Sequence, residues 1–319
     1  MFKKLVLSVL LLAVISCGKS NGLEAEIATI PVELEILRFD ERFGNATQDS
    51  LEILKNEFPY LFPQQYDDSV WVKMLEDTLH QELHAQVHER YDGFSDVAQE
   101  LHVLYQHIRH YFPKEPLPKV ITLVSEVDYR NQVIWADSLL LISLDTYLGR
   151  DHYFYDGIQE YLRAGFEEKY ISIDAAGAFA QKQIQYPSSR LFLDEMIYYG
   201  KILYLKDLLV PFKTDAEKIG YSTQELQWAK ANEEQIWRYF VERELLFSSD
   251  PQLGPRFLQP APFSKFYLEL DSEAPGQLGQ YIGWQIVRQY VDRTDSGLAE
   301  VLATNGEEIF KESNYKPRR

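Results

Sequence analysis

The stretch from Leu191 to Pro211 constrains the fold more than any other part of the chain, because it is apolar on almost every side. Phe192, Ile197 and Leu209 point in different directions around a helix and leave no wholly polar face. A helix that is hydrophobic all round lies inside a protein, whereas a surface helix keeps one polar face. The stretch therefore predicts a helix buried within a sizeable domain.

The few polar residues of this predicted helix fall on one stripe. Asp194, Tyr198 and Lys201 are spaced i, i+4 and i+7, so a helix carries their side chains on the same face. Glu195 lies beside them. Because a buried charge is costly unless it is paired, the stripe is either a satisfied ion pair or the floor of a functional site.

The composition is that of a globular protein with an acidic surface. Of the 319 residues, 45% are hydrophobic and 25% are charged, and the formal net charge is −17. A chain of this length can bury a full core. Nucleic acids and anionic membrane faces repel so acidic a surface, so neither is expected as the main partner.

The N-terminus has the organisation of an export signal. Lys3 and Lys4 form a short positive region, and the apolar run Leu5–Val14 is too short for an ordinary membrane-spanning helix. The run ends in Val-Ile-Ser-Cys, which resembles the bacterial lipobox. This resemblance implies cleavage before Cys17 and attachment of lipids, palmitate among them, to that residue. The alternative is a plain signal peptide or short anchor with a chance cysteine.

Cys17 is the only cysteine of the chain, so internal disulfides are excluded. Several acyl chains, each contributing about 0.8 kcal/mol per buried CH₂, would anchor the protein stably. We therefore predict a signal peptide over residues 1–16, a lipidated tether over 17–30 and a single globular domain over 31–319. No dense acidic cluster follows Cys17, which favours a periplasm-facing position in the cell envelope.

The remaining sequence changes from β-rich runs to long helical ones. Strands are predicted over Val32–Phe39, Lys119–Val127, Gln132–Trp135 and Leu139–Leu144. Helices are predicted over 49–58, 68–90, 94–112, 157–166, 174–185, 191–211, 223–247 and 277–291, followed by a frayed tail over 311–319. The short connections between the later strands fit antiparallel pairing. The predicted fold class is α+β, mostly helical with a small, largely antiparallel sheet.

Three histidines, His80, His84 and His88, have the spacing of one helix face, and two imidazoles at i and i+4 can bind zinc. The metallopeptidase pattern HExxH also needs a glutamate directly after the first histidine. Gln81 occupies that place, and Glu82 points about 200° away from His80 because helical residues follow one another by about 100°. We therefore predict a solvated helix face at these histidines, with zinc binding as the alternative.

Glycines at 276, 279 and 283 form a smooth strip on the last long predicted helix. Each glycine inside a helix costs about 0.5–1 kcal/mol relative to alanine, so a structural reason is expected. Close approach of another helix is the prediction, with Gly200 as the matching small residue, and close approach of a ligand is the alternative. Trp284 and Arg288, at i and i+4, are predicted to lie together.

Taken together, these segments resemble the gliding-motility lipoprotein GldB family of the Bacteroidetes. The resemblance rests on the lipobox at Cys17 and on the segments Asp194–Pro211, Asn232–Asp250 and Ala274–Val291, and it covers essentially the whole mature chain. It implies a cell-envelope lipoprotein required for gliding motility and connected with the associated protein-secretion apparatus. The implied partners are the membrane, through the Cys17 lipids, and other envelope proteins. The resemblance does not supply a catalytic activity, and no cofactor is predicted.

A more distant similarity to zincin metallopeptidases places Asp194–Tyr198 where those enzymes carry HExxH. Glu195 then stands in the position of the general base, while Asp194 and Tyr198 replace the two histidine ligands. Glu233 or Glu234 stands where a third, acidic ligand would be. A carboxylate and a phenol are poor zinc ligands beside two imidazoles.

This similarity predicts a zincin-like core with a degenerate site, formed by Asp194, Glu195, Tyr198, Lys201 and Glu234, in which no metal is bound. Lys201 would supply the positive charge of the lost metal and form a buried ion pair with Asp194. The predicted mode of action is protein–protein interaction, and an enzyme is the less favoured reading. The alternative is a zincin-like metallohydrolase that uses Glu195, with ligands drawn from His80, His84 or Glu234.

Overall fold

The computed structural model describes residues 22–267 and 271–318, so the predicted signal peptide and Cys17 lie outside the described residues. The strands are β1 Ile36–Arg38, β2 Lys119–Leu123, β3 Val133–Trp135 and β4 Leu139–Ser143. After a helical segment over residues 22–27, the helices of the first half are α1 Phe39–Gly44, α2 Leu51–Glu57, α3 Asp68–Glu76, α4 Thr78–Arg90, α5 Ser95–Tyr111, α6 Glu160–Arg163 and α7 Ile171–Gln183. Ile27 is buried and Gln106 of α5 donates to the carbonyls of Ala28 and Ile30, so this part of the predicted tether packs on the domain. Those of the second half are α8 Phe192–Leu209, α9 Asp215–Ile219, α10 Thr223–Ala231, α11 Glu233–Glu242, α12 Leu253–Phe257, α13 Leu278–Thr294, α14 Leu298–Ala303 and α15 Gly306–Ser313.

The predicted class, α+β and mostly helical, is confirmed, but the sheet is mixed. Its strand order is β1-β2-β4-β3, in which β1–β2 and β2–β4 are parallel and only β3–β4 is antiparallel. Five helices, α1 to α5, separate β1 from β2 and give the chain the long crossover that parallel pairing needs. The hairpin β3–β4 is the part for which antiparallel pairing was predicted correctly.

Helix α8 lies between two apolar cores, which confirms the prediction of a buried helix. One side, including Leu205 and Leu209, packs into the core of the sheet, α5 and α7. Another side, including Met196 and Ile197, packs into the core of α10 to α13. The apolar residues all around α8 are explained by this position, because each side of the helix has its own core to fill.

The close approach of two helices at Gly200 is confirmed. A Cβ on Gly200 would clash with the backbone of Gly283 on α13, and a Cβ on Gly283 would clash with the backbone of Met196 on α8. The predicted strip is shorter than expected, because α13 begins only at Leu278 and Gly276 faces the carbonyl of Ala261 instead. The two glycines let the backbones of α8 and α13 touch directly.

Two helices predicted as continuous are interrupted. The predicted helix over 68–90 divides at Asp77, whose side chain accepts from the backbone N–H of His80 and begins α4. The predicted helix over 223–247 divides at Asn232 and ends at Glu242. In both cases a local hydrogen bond of an Asp or Asn side chain competes with the helix interior. The capping box of Ser222 and Glu225 is present as predicted.

None of the helices within residues 22–267 and 271–318 is long and apolar enough to cross a membrane.

Candidate functional site

The polar stripe of α8 faces a cavity of about 620 Å³. Asp194, Tyr198 and Lys201 line it together, as their spacing predicted, and the loop at Tyr186 forms part of its wall. The opposite wall is residues 302–306, where α14 ends and α15 begins. The stripe is therefore the side of a real cavity, closed by a segment about 100 residues further along the chain.

Lys201 is held by backbone carbonyls at this cavity. Its Nζ donates to the carbonyl oxygens of Leu302 at 2.9 Å and Thr304 at 2.6 Å, and the residue is buried. Burial lowers the pKa of Lys201 to about 8, while the charge of Asp194 opposes this shift. The predicted direct ion pair between Asp194 and Lys201 is not formed, and the charge of Asp194 acts on Lys201 from a distance. The Asp194 carboxylate packs against Gly306 instead, so closely that a Cβ on residue 306 would clash with it.

Glu195 faces a different cavity, of about 430 Å³. Its Oε1 accepts from the Tyr186 hydroxyl at 3.1 Å. Burial, and then the hydrogen bond to Glu195, raise the pKa of Tyr186 to about 12. Asp250 is the other acidic residue of the lining, which contains no histidine or cysteine. Asp194 and Glu195 are thus neighbours in sequence that serve two separate cavities.

The two glutamates at the start of α11 differ strongly from each other. Glu234 is on the surface and pairs with Arg238 at 2.9 Å. Glu233 is buried and accepts from the hydroxyls of Tyr281 at 2.7 Å and Tyr315 at 2.9 Å. Neither glutamate lines the cavity of Asp194 or that of Glu195. The Tyr315 contact also fixes the C-terminal segment, which the sequence predicted to be frayed.

The prediction of a solvated histidine face is wrong for two of its three members. His80 and His84 are buried against Phe43, their ring centroids are 4.7 Å apart, and only His88 is exposed. His84 Nδ1 lies 3.0 Å from the Asp40 carbonyl oxygen. Burial, with a smaller effect of the neighbouring His80, lowers the pKa of His84 to about 4. The reason is their register: both fall on the side of α4 that packs inward.

Zinc binding was the alternative prediction for His80, His84 and His88. Within the described ranges, no three His, Cys, Asp or Glu side chains come together in a way that could hold a metal ion. His80 and His84 lie beside Phe43 and the Asp40 carbonyl, and neither lines the cavity of Glu195.

Sequence reasoning missed an ionic cluster that joins three helices. Arg288 of α13 donates to both oxygens of Asp207 at 2.7 and 2.8 Å and to both oxygens of Asp215 at 2.9 and 3.1 Å. Its guanidinium lies 3.7 Å from the Trp284 ring centroid, and the Trp284 indole donates to Asp207 at 2.9 Å. The i, i+4 spacing of Trp284 and Arg288 predicted that these two residues are neighbours. It could not predict their partners Asp207 and Asp215, which lie on α8 and α9, far away in sequence.

A comparison with protein-family models identifies the family to which this chain is related. The GldB_lipo model, described as gliding motility protein GldB, matches residues 20–317. The chain belongs to the GldB family. The match covers all the helices and strands described above, including those that carry the α8 cavities, the Arg288 cluster and the buried Glu233. Membership identifies the chain as a gliding motility protein and a lipoprotein of the cell envelope. No curated protein and no solved structure matches the chain.

Proposed function

We propose that this GldB-family chain is a lipid-anchored envelope protein that supports gliding motility by binding other envelope proteins. The observation that carries the proposal is the family match, which begins at residue 20, close behind Cys17, and extends over the whole folded part. The apolar run before Cys17 and the lipobox-like end of that run support cleavage there and lipid attachment. The linker behind Cys17 would place the folded domain on the periplasmic side of its membrane, and the partners would include the associated secretion apparatus.

The geometry of the α8 stripe gives catalysis no support. Lys201 already donates two hydrogen bonds to the carbonyls of Leu302 and Thr304, so its ammonium stabilises the fold. Glu195 has a phenol as its partner and shares its cavity with no imidazole or thiol. Metallohydrolysis by Glu195 would need ligands that converge on it, and the described side chains offer none.

Lipid anchoring is tested by Cys17→Ser in cells fed an alkyne analogue of palmitate. We expect the wild-type protein to carry the label and to fractionate with membranes, and the variant to lose both the label and colony spreading. Labelling of the variant at wild-type level would contradict the assignment of Cys17.

The mode of action is tested by cross-linking followed by pull-down from envelope membranes, with the wild-type protein and Glu195→Gln compared. We expect both proteins to recover the same partners and both strains to glide, because Glu195 has no catalytic role in the proposal. Motility lost with unchanged partner recovery would favour the metallohydrolase instead.

A further inference from the structure

A second polar cleft lies on another side of α8 and was not predicted from the sequence. It has a volume of about 520 Å³ and lies between the edge of the sheet and helices α7, α8 and α13. Arg130 and Val133 line it from the sheet side, Asp174 and Gly177 from α7, and Lys206 from α8. Lys206 follows Lys201 by five residues, which places it about 140° further around the helix axis.

Lys206 lacks the partners that Lys201 has. Its Nζ donates to the carbonyl of Lys218 at 3.1 Å, and in residues 22–267 and 271–318 it makes no ion pair within 4 Å. A lysine ammonium has three donors, so two are left unused. A charge that is partly removed from water without a counter-ion is unfavourable, and burial accordingly lowers the pKa of Lys206.

The carboxylate of Asp174 does not supply that counter-ion. Its Oδ2 accepts from the Tyr147 hydroxyl at 2.8 Å, and Asp174 makes no ion pair with Lys206 within the described part of the chain. Burial raises the pKa of Asp174, although the charge of Lys206 opposes the shift. Two half-buried groups of opposite sign therefore share the cleft without direct contact.

The cleft has a positive excess although the protein is strongly acidic. The Arg130 guanidinium carbon lies over the Tyr129 ring, 6.0 Å from the ring centroid. Among the described residues, the Arg130 guanidinium has no carboxylate partner. Lys218 is already paired with Asp207 at 3.2 Å. Arg130 and Lys206 thus provide two uncompensated cations beside Asp174, in a chain of net charge −17. Such a cleft complements a negatively charged group.

The sheet offers hydrogen bonds at the same place. Strand β3 is an edge strand, and Gln132 and Ala136, which flank it, both bond to the neighbouring β4 chain. Since bonding alternates along an antiparallel pair, Val133 and Trp135 direct their N–H and C=O groups away from β4. Their side chains pack toward the core while Ile134 is exposed. An unpaired edge of this kind can take up another extended strand.

We infer that this cleft binds an extended, acidic segment of a partner protein, whose backbone pairs with β3 and whose carboxylate contacts Lys206 and Arg130. This inference rests on the proposed function, since it names the chemistry of the partner that the protein would bind. Gly177 leaves room for the end of the Lys206 side chain. A Cβ on residue 177 would lie only 3.0 Å from Lys206 Cε.

The test measures fluorescence anisotropy with two pools of labelled eight-residue peptides of otherwise random sequence, one with a central Glu and the other with a central Gln. The full chain is used in detergent, as wild type and as Lys206→Met, Val133→Pro and Lys311→Met. Lys311 is an exposed lysine of α15 outside the cleft and provides the matched control. Circular dichroism and urea unfolding show that each variant is folded.

We expect the Glu pool to bind at least tenfold more tightly than the Gln pool, and the difference to shrink as salt rises. Lys206→Met should remove the preference, Lys311→Met should keep it, and Val133→Pro should weaken both pools equally because proline removes an outward N–H. Equal binding of the two pools by the wild type, or a preserved preference in Lys206→Met, would overturn the inference. If either result is found while the cross-linking pull-down still recovers envelope partners, the binding of an acidic segment in this cleft is refuted and the proposed function is not. A wild-type pull-down that recovers no partner counts against the proposed function itself.

Discussion

The contact of α8 with α13 at Gly283 gives the sharpest stability prediction. A Cβ at Gly283 would lie well under 3.0 Å from the Met196 carbonyl group, and that neighbour is backbone, so no rotamer change can relieve the clash. The two helices would have to move apart. Overpacking of this kind costs about 1–3 kcal/mol and occasionally more. Because the clash is with backbone, we use the upper end of this range, about 3 kcal/mol. Alanine recovers up to about 1 kcal/mol of helix propensity, so we expect Gly283→Ala to lower the free energy of unfolding by about 2 kcal/mol.

Urea unfolding followed by circular dichroism measures this change, and Gly165→Ala is the control. A Cβ on Gly165 would have no non-neighbouring atom within 4 Å, and the φ of this residue lies outside the left-handed region. We expect that variant to be neutral or more stable by up to about 1 kcal/mol. If Gly283→Ala unfolds within about 0.5 kcal/mol of the wild type, the backbone contact does not limit the packing of α8 on α13.

Three further predictions concern buried polar groups. Because His84 has a folded-state pKa of about 4 and an ordinary value of 6.5, the unfolded chain binds its proton first as pH falls. Stability should therefore drop between pH 6.5 and about 4, by at most about 3.5 kcal/mol from this residue. In pH-dependent urea unfolding, His84→Asn should flatten this slope and His88→Asn should keep it. Glu233→Gln should cost about 2 kcal/mol and speed carboxypeptidase digestion of the C-terminal segment, whereas the surface variant Glu234→Gln should change stability by less than about 0.5 kcal/mol. Lys201→Met should lower the free energy of unfolding by about 2 kcal/mol, since two carbonyls lose their donor, while Lys311→Met should have little effect.

Local sequence patterns predicted the parts of the fold that depend on neighbouring residues. The apolar surround of α8, the capping box at Ser222 and the pairing of Trp284 with Arg288 all follow from spacings of three or four residues. The buried histidines had such a signal too. His80, Leu83, His84 and Val87 follow the i, i+3, i+4, i+7 pattern of a core-facing side, and the polar residues between them concealed it.

The parts that were missed depend on contacts between distant segments. The parallel pairing of β1 with β2 joins strands that are separated by five helices. The partners of Lys201 are the carbonyls of Leu302 and Thr304, more than 100 residues away. A spacing rule identified Lys201 as a residue that needs compensation, but it could name only local candidates, and Asp194 was the nearest one.

Helix α8 thus carries two lysines in different surroundings. Lys201 stabilises the fold, and Lys206 is the lysine of the proposed binding cleft. Lys201 is the more conspicuous in the sequence, since it completes the polar stripe, yet its ammonium is satisfied within the fold. Lys206 attracts no attention in the sequence, but it is the lysine with unused donors and no ion-pair partner in the described residues. A charge that the fold satisfies contributes to stability, whereas one that the fold leaves uncompensated is available to a counter-ion from another molecule. Under the proposed function, Lys206 therefore marks the side of α8 where an acidic partner would bind.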